Sequence, residues 1–192
     1  MAFVYTAAMA DEVEIKFLIH DLRAVREQLP KAGFREVTPR THEMNTLYDR
    51  QLEMRSRGEV LRIRKYGDKW TVTHKSKSKD ARHKTRLETE TQVQDGPALE
   101  QVFNAMGFHP AFRYEKFRSE WSDGSGHVVL DETPIGNIGE IEGTPEWIDR
   151  IATQLGIKQQ DYITKSYAEM FRDWAERNHS SAKNMTYAET RS

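Results

Sequence analysis

Glu12-Val13-Glu14-Ile15-Lys16-Phe17 alternates charge with hydrocarbon at every step. In a β-strand successive side chains point to opposite faces, so Glu12, Glu14 and Lys16 share one face and Val13, Ile15 and Phe17 the other. Taken singly, such a stretch describes an ordinary half-buried strand with a solvated polar face. The same charged alternation returns along the chain. Leu61-Arg62-Ile63-Arg64 repeats it, Gly67-Asp68 supplies a hairpin turn, and Trp70-Thr71-Val72-Thr73-His74-Lys75 runs back with Lys75 on the side of Thr71 and Thr73. Arg86-Leu87-Glu88-Thr89-Glu90, Glu115-Lys116-Phe117-Arg118 and Glu140-Ile141-Glu142 carry the theme onward, and His127-Val128-Val129-Leu130-Asp131 reads as a strand ending in an acid.

The rest of the chain connects these strands. Asp21 suits the N-cap of a helix over Leu22–Leu29 that ends by Gly33, and Asp95 caps a second over Pro97–Met106. Phe34 to Val37 reads as a short strand broken at Pro39, His42 to Tyr48 as another extended segment, and Asp49 to Gly58 as a polar loop. Thr144-Pro145 opens a helix that stops before Gly156. In a last helix over Lys165–Arg177, Tyr167, Met170, Phe171 and Trp174 form a packing face. The reading gives a leader over 1–10, one catalytic domain over 11–177, and a disordered polar tail over 178–192. Ala32-Gly33-Phe34 and Met106-Gly107-Phe108 echo one another, which is thin evidence for two similar halves.

Composition narrows the function. Of 192 residues 37% are hydrophobic and 31% charged, so charge must sit somewhere besides an ordinary surface. A net charge of -1 argues against a nucleic-acid partner, and the lack of cysteine removes disulfides and thiolate metal sites. No apolar run approaches a membrane span, and Met1 to Ala10 has no basic segment of a secretory leader, so a cytoplasmic protein is expected.

The charged faces admit two arrangements. On an open sheet they would form solvated acid–base ladders with nothing bound. If the sheet closes, the apolar faces lie outside beneath the helices and the charges turn inward. A buried charge without a partner costs several kcal/mol, so an inward lining must be hydrated, internally paired or occupied by ions and a charged ligand. Recurrence over so many strands favours the closed form. Lysines and arginines converging on one place suit phosphate oxygens, and crowded carboxylates suit a hard divalent cation. A polyphosphate carried with Mg²⁺ or Mn²⁺ satisfies both sets.

The ordered series resembles the CYTH, or triphosphate tunnel metalloenzyme, superfamily. Glu12-Val13-Glu14-Ile15-Lys16 is similar to its ExExK signature, and the resemblance continues in order through Lys165-Ser166-Tyr167. It implies an α+β fold: a closed eight-stranded antiparallel β-barrel with flanking helices. It implies metal binding by Glu12, Glu14, Glu88, Glu90, Asp131, Glu140 and Glu142, and two Mg²⁺ or Mn²⁺ ions per site. It implies triphosphate binding by Lys16, Arg62, Arg64, Lys75, Lys116, Arg118 and Lys165, with Glu12, Glu14 and Lys16 at the catalytic centre. Arg86 either holds phosphate or pairs with a lining carboxylate. Gly107 to Arg118 and Leu130 to Gly143 look most like class IV adenylyl cyclases, which implies conversion of ATP to cyclic AMP and pyrophosphate. A triphosphatase acting on thiamine triphosphate or tripolyphosphate stays open, as does a non-catalytic polyphosphate binder, and so does the choice between monomer and homodimer. His42, His74 and His127 lack any triad context and are read as structural or solvent-facing.

Overall fold

Eight antiparallel strands close on one another in the computed structural model, which describes residues 8–78 and 82–191. They are β1 (Ala8–Leu18), β2 (Arg35–Asp49), β3 (Val60–Tyr66), β4 (Lys69–Lys75), β5 (Lys84–Val93), β6 (His109–Ser122), β7 (His127–Thr133) and β8 (Gly136–Glu142). Around the barrel the order is β1-β5-β4-β3-β2-β6-β7-β8, and β8 returns to β1. β1 is the seam: its first half pairs with β5 (Glu12 opposite Arg86) and its second half with β8 (Lys16 opposite Glu140). The strand whose alternation is clearest therefore closes the ring.

Helices α1 (Leu22–Lys31), α2 (Glu53–Arg57), α3 (Gly96–Ala105), α4 (Pro145–Gln154), α5 (Tyr167–Arg177) and α6 (Tyr187–Thr190) lie between and after the strands. Asp21, Asp95 and Thr144 accept hydrogen bonds from the first turns of α1, α3 and α4, which satisfies amides that a helix start leaves open. The outward faces of the strands are apolar where helices cover them. Ile15 and Phe17 of β1 join Val128, Leu130 and Ile141 in one buried cluster with Leu29 of α1 and Trp147, Ile148 and Ile151 of α4. Each such side chain contributes about 1.5–3 kcal/mol on burial. Gly139 sits opposite Phe17, and a Cβ there would overlap the phenyl ring, so the glycine makes room for the core.

Several connections differ from the sequence reading. Pro39 does not break a strand; β2 runs through it, and the register against β6 shifts on either side. Proline cannot donate to the ladder, and a bulge absorbs it. The polar stretch after Asp49 contains α2, whose amides at Met54 and Arg55 donate to the Asp49 carboxylate. Of the expected leader, residues 1–7 lie outside the described residues, and Ala8 to Ala10 already belong to β1.

The tail read as disordered is ordered over 178–191. Strand β7 covers β6 only from Phe117 onward, which leaves the edge around Tyr114 open. The tail fills it: Met185 donates to the Arg113 carbonyl and accepts from the Glu115 amide, with its side chain fully buried. Beyond it Tyr187 packs against Phe117 and donates to the Glu132 carbonyl. An unpaired strand edge and one apolar anchor outweigh the polar composition of this segment.

Candidate active site: a charged tunnel

Closure turns the charged faces inward around a cavity of about 1360 Å³. Glu12, Glu14, Lys16, Arg62, Arg64, Lys75, Glu88, Glu90, Lys116, Arg118, Glu140 and Glu142 all line it. The lining is organised as acid–base contacts between neighbouring strands. Lys75 reaches Glu12 at 2.7 Å and Glu88 at 2.6 Å, and Arg86 approaches Glu12 at 3.4 Å. Arg62 and Arg64 both donate to Glu90, at 3.2 and 2.8 Å, and Thr73 donates to the same carboxylate. Across the tunnel Lys16 lies between Glu14 at 2.7 Å and Glu140 at 3.2 Å. Glu140 also accepts from Arg118 at 2.5 Å.

Charge at such close quarters shifts proton affinities. Burial opposes ionisation of Glu12, but Lys75 and Arg86 bring its pKa down to about 2. Burial likewise works against the Lys16 ammonium, and Glu14 and Glu140 more than offset it, holding its pKa above the usual range. At the mouth the side of excess changes. The barrel wall and the carboxylates of Glu12, Glu140 and Glu14 push Glu142 up to about 7, although its side chain opens to solvent. Glu12, Glu14 and Glu140 each meet basic partners, and Glu142 stands beside them where negative charge dominates.

Two of the expected residues are placed differently, one behind the wall and one at the rim. Asp131 is wholly buried and is absent from the tunnel wall. Its carboxylate accepts from Lys116, from both arms of Arg118, and from the Tyr167 hydroxyl. With its oxygens so engaged, it braces two bases from behind and has little capacity left for a metal ion. Lys165 lies at the rim, half-exposed, in a salt bridge with Asp173.

Four residues of the interior, Glu43, Asn45, Lys84 and Tyr167, escaped the sequence reading. Glu43 of β2 is 1% exposed, 3.6 Å from Lys116 and 3.7 Å from Arg118. Burial disfavours its charge, yet Lys116 and Arg118 hold its pKa far below the carboxylate range. Asn45 donates to it, and among the described residues Glu43 Oε2 and Asn45 Oδ1 are buried acceptors without a hydrogen-bond donor. Lys84, at the start of β5, lies 3.2 Å from Glu14, and burial together with Lys16 and Arg86 lowers its pKa to about 8. Tyr167 was read only as packing, but its ring also lies beneath the Lys116 ammonium, 4.4 Å from Nζ.

The donor set fits a hard divalent cation in kind. Glu12, Glu14, Glu140 and Glu142 offer only carboxylate oxygens, which such ions prefer, and Glu142 is crowded by negative charge. Among the described residues no three acidic or histidine side chains are already gathered about one point. Lysine ammoniums occupy the spaces between the acids, as Lys16 does between Glu14 and Glu140.

Comparison with known proteins gives the same architecture. The family model of the CYTH domain matches residues 10–167. A protein of Methanocaldococcus jannaschii, described as a candidate adenylate cyclase, is 33% identical over 170 residues, which span 83% of this chain and 97% of that protein. Among solved structures, a candidate adenylate cyclase of Vibrio parahaemolyticus superposes with a TM-score of 0.74 at 18% identity, covering 84% of this chain and 97% of its own. A Hippeastrum candidate adenylyl cyclase, described as showing a dominant triphosphatase activity, gives 0.60 at 21% identity, covering 84% and 95%. These two structures speak for the fold. Since the family match takes in every strand that walls the tunnel and the archaeal relative is a third identical along nearly its whole length, the protein belongs to the CYTH domain family.

Proposed function

We propose that the protein binds a triphosphate in its tunnel with one or two Mg²⁺ or Mn²⁺ ions and converts ATP to cyclic AMP and pyrophosphate. The observation that carries this reading is the convergence of Arg62, Arg64, Lys75, Lys116 and Arg118 on one cavity that also presents Glu12, Glu14, Glu140 and Glu142. Bases alone would suit any polyanion. The acids would weaken anion binding unless a cation accompanied the phosphates. The cyclase form of the reading leans on the description of the archaeal relative.

Arg62, Arg64 and Lys75 form one bank of donors and Lys116 and Arg118 another, and a triphosphate between them exchanges their internal acid contacts for phosphate oxygens. Asp131 and Glu43 keep Lys116 and Arg118 extended toward it. Glu12, Glu14, Glu140 and Glu142 would hold the metal, which when bound lowers the pKa of the attacking hydroxyl and neutralises leaving charge. In the cyclase reaction the ribose 3′-oxygen forms a bond to the α-phosphorus. The bond from that phosphorus to the oxygen bridging it to the β-phosphorus breaks, the hydroxyl proton passes to a base, and pyrophosphate leaves.

A triphosphatase is the second reading. The same donors would hold the substrate while water attacks the terminal phosphorus, and nothing in the tunnel wall favours one nucleophile over the other. Incubating the protein with ATP, thiamine triphosphate or tripolyphosphate in Mg²⁺ or Mn²⁺ and identifying products separates the two. Cyclic AMP with pyrophosphate is the expected outcome. Orthophosphate instead would establish hydrolysis, and intact substrate bound with measurable affinity would make the protein a binder.

A further inference from the structure

Outside the barrel one carboxylate ties separate stretches of chain together. Asp149 belongs to α4, whose Ile148 and Ile151 lie in the core, but its own side chain faces a surface cleft of about 500 Å³ that Arg82 and Tyr162 also line. His83 Nε2 donates to Asp149 Oδ1 at 2.9 Å, the Tyr162 hydroxyl donates to the same oxygen at 3.1 Å, and Arg82 donates to Oδ2. His83 is 6% exposed, and its ring lies 6.1 Å from that of Tyr162, so the imidazole is held from two sides.

Both arms of this knot lead to Glu14. Ile163 follows Tyr162 and exchanges two backbone hydrogen bonds with Lys16, at 2.9 and 2.8 Å. Lys84 follows His83 and opens β5. Inside the barrel the ammoniums of Lys16 and Lys84 both meet Glu14 Oε1, at 2.7 and 3.2 Å. Lys84 is the less favourably placed of the two. It is buried, and Lys16 and Arg86 repel it. A long, flexible side chain so placed retreats unless its backbone is fixed. That backbone is fixed one residue earlier, where Asp149 grips His83.

We propose that Asp149 is a positioning residue that acts through His83 to hold the Lys84 ammonium against Glu14, where it competes with a metal ion for the carboxylate. This rests on the reading of Glu14 as a metal ligand. An ammonium and a dication seek the same oxygens, so the more firmly Lys84 is held, the more weakly the tunnel takes Mg²⁺ or Mn²⁺ by itself. A triphosphate changes the balance, because Lys84 lines the cavity and gains phosphate oxygens when it leaves Glu14. The tether thereby makes tight metal binding depend on the triphosphate.

The test is binding of Mn²⁺ alone by the full chain, followed through the electron paramagnetic resonance of the free ion, with circular dichroism to show that each variant is folded. Lys84→Met removes the ammonium and lowers the Mn²⁺ dissociation constant about tenfold, and Asp149→Ala, which only frees it, lowers the constant about threefold. His83→Leu cuts the same tether from its other side and matches Asp149→Ala. Arg82→Ala removes a partner of Asp149 that is not on the path to Lys84 and leaves the constant within about twofold, the scale of a screened surface charge. The sign is diagnostic, since loss of a remote carboxylate would by itself weaken the binding of a cation. In the Lys84→Met background Asp149→Ala has no further effect, as a double-mutant cycle requires of residues acting on one path. A constant unchanged or raised in Asp149→Ala and His83→Leu, or the same fall with and without the Lys84 ammonium, would overturn the positioning role and leave Glu14 a metal ligand. If Glu14→Gln binds Mn²⁺ as the wild type does, or if no form binds it, the metal reading falls and the positioning role with it.

Discussion

Arg64 and Glu14 have opposite duties in the tunnel, and the difference sets what their loss should do. Arg64 donates to Glu90 and Thr71 and is one of several bases on its bank, so Arg64→Ala leaves the cavity standing. Its guanidinium is replaced by space, and a charged hydrogen bond contributes about 1.5–3 kcal/mol. The dissociation constant for a triphosphate should rise by roughly 10- to 150-fold on that range, measured by calorimetry. An unchanged constant would remove Arg64 from the site. Glu14 is buried between Lys16 and Lys84. Glu14→Gln keeps shape and removes charge, so metal-dependent turnover should drop by at least about a hundredfold, on the scale of losing one preorganised electrostatic group. Circular dichroism should stay native. Wild-type turnover and metal dependence in that variant would show that Glu14 is not in the reacting centre. The charged positions could be read because alternation against hydrocarbon makes their side of the strand unambiguous. Glu43 and Asn45 could not, because their outward neighbours His42, Met44 and Thr46 are not a hydrophobic face: Met44 is 51% exposed. Lys84 was hidden at the end of a basic loop. Asp131 was visible, but its setting behind Lys116 and Arg118 depends on the barrel's cross-section, which no linear pattern encodes.

At the scale of elements, strands with a helix over one face and the tunnel on the other were legible, and those with irregular partners were not. β1, β3, β5 and β8 repeat with period two, as a wall between two unlike media must. β2 carries Pro39 and reads as two pieces, yet the ladder to β6 on one side and β3 on the other holds the pieces as one strand. The C-terminal segment is the larger miss. Its sequence is polar, and its order comes from the free edge of β6, a feature created by the shortness of β7. Met185 is the anchor. Met185→Ala should cost about 2–5 kcal/mol, the range for emptying a buried large apolar site. It would appear as a lower midpoint in urea with an unchanged slope. A variant within about 0.5 kcal/mol of wild type, the usual range for surface changes, would mean that the segment is not docked on β6.

For the whole molecule, the tunnel is a compromise that ligand should relieve. Its ion pairs are largely buried, and buried pairs give back little more than the desolvation they cost. They hold the charged walls in shape without adding much stability. A triphosphate with its metal offers both sets stronger partners: phosphate oxygens for Arg62, Arg64, Lys75, Lys116 and Arg118, and a cation for Glu12, Glu14, Glu140 and Glu142. It binds only the closed barrel, because no unfolded chain gathers these residues from five separate strands. Mass action then makes binding a gain in stability, about 2.7 kcal/mol at a hundredfold excess over the dissociation constant. For a chain of 192 residues this is a rise of roughly 5–11 °C in the unfolding midpoint. Differential scanning with Mg²⁺ and tripolyphosphate together should show that rise. Tripolyphosphate with a chelator should give a smaller one, since the four carboxylates would then face phosphate without a cation between them. Mg²⁺ alone should give less again, because the lysines already neutralise most of the acids. Equal midpoints with and without the pair would mean that the charged walls are finished as they stand. Equal shifts with and without chelator would confine recognition to the bases and leave the acids without the role the tunnel gives them.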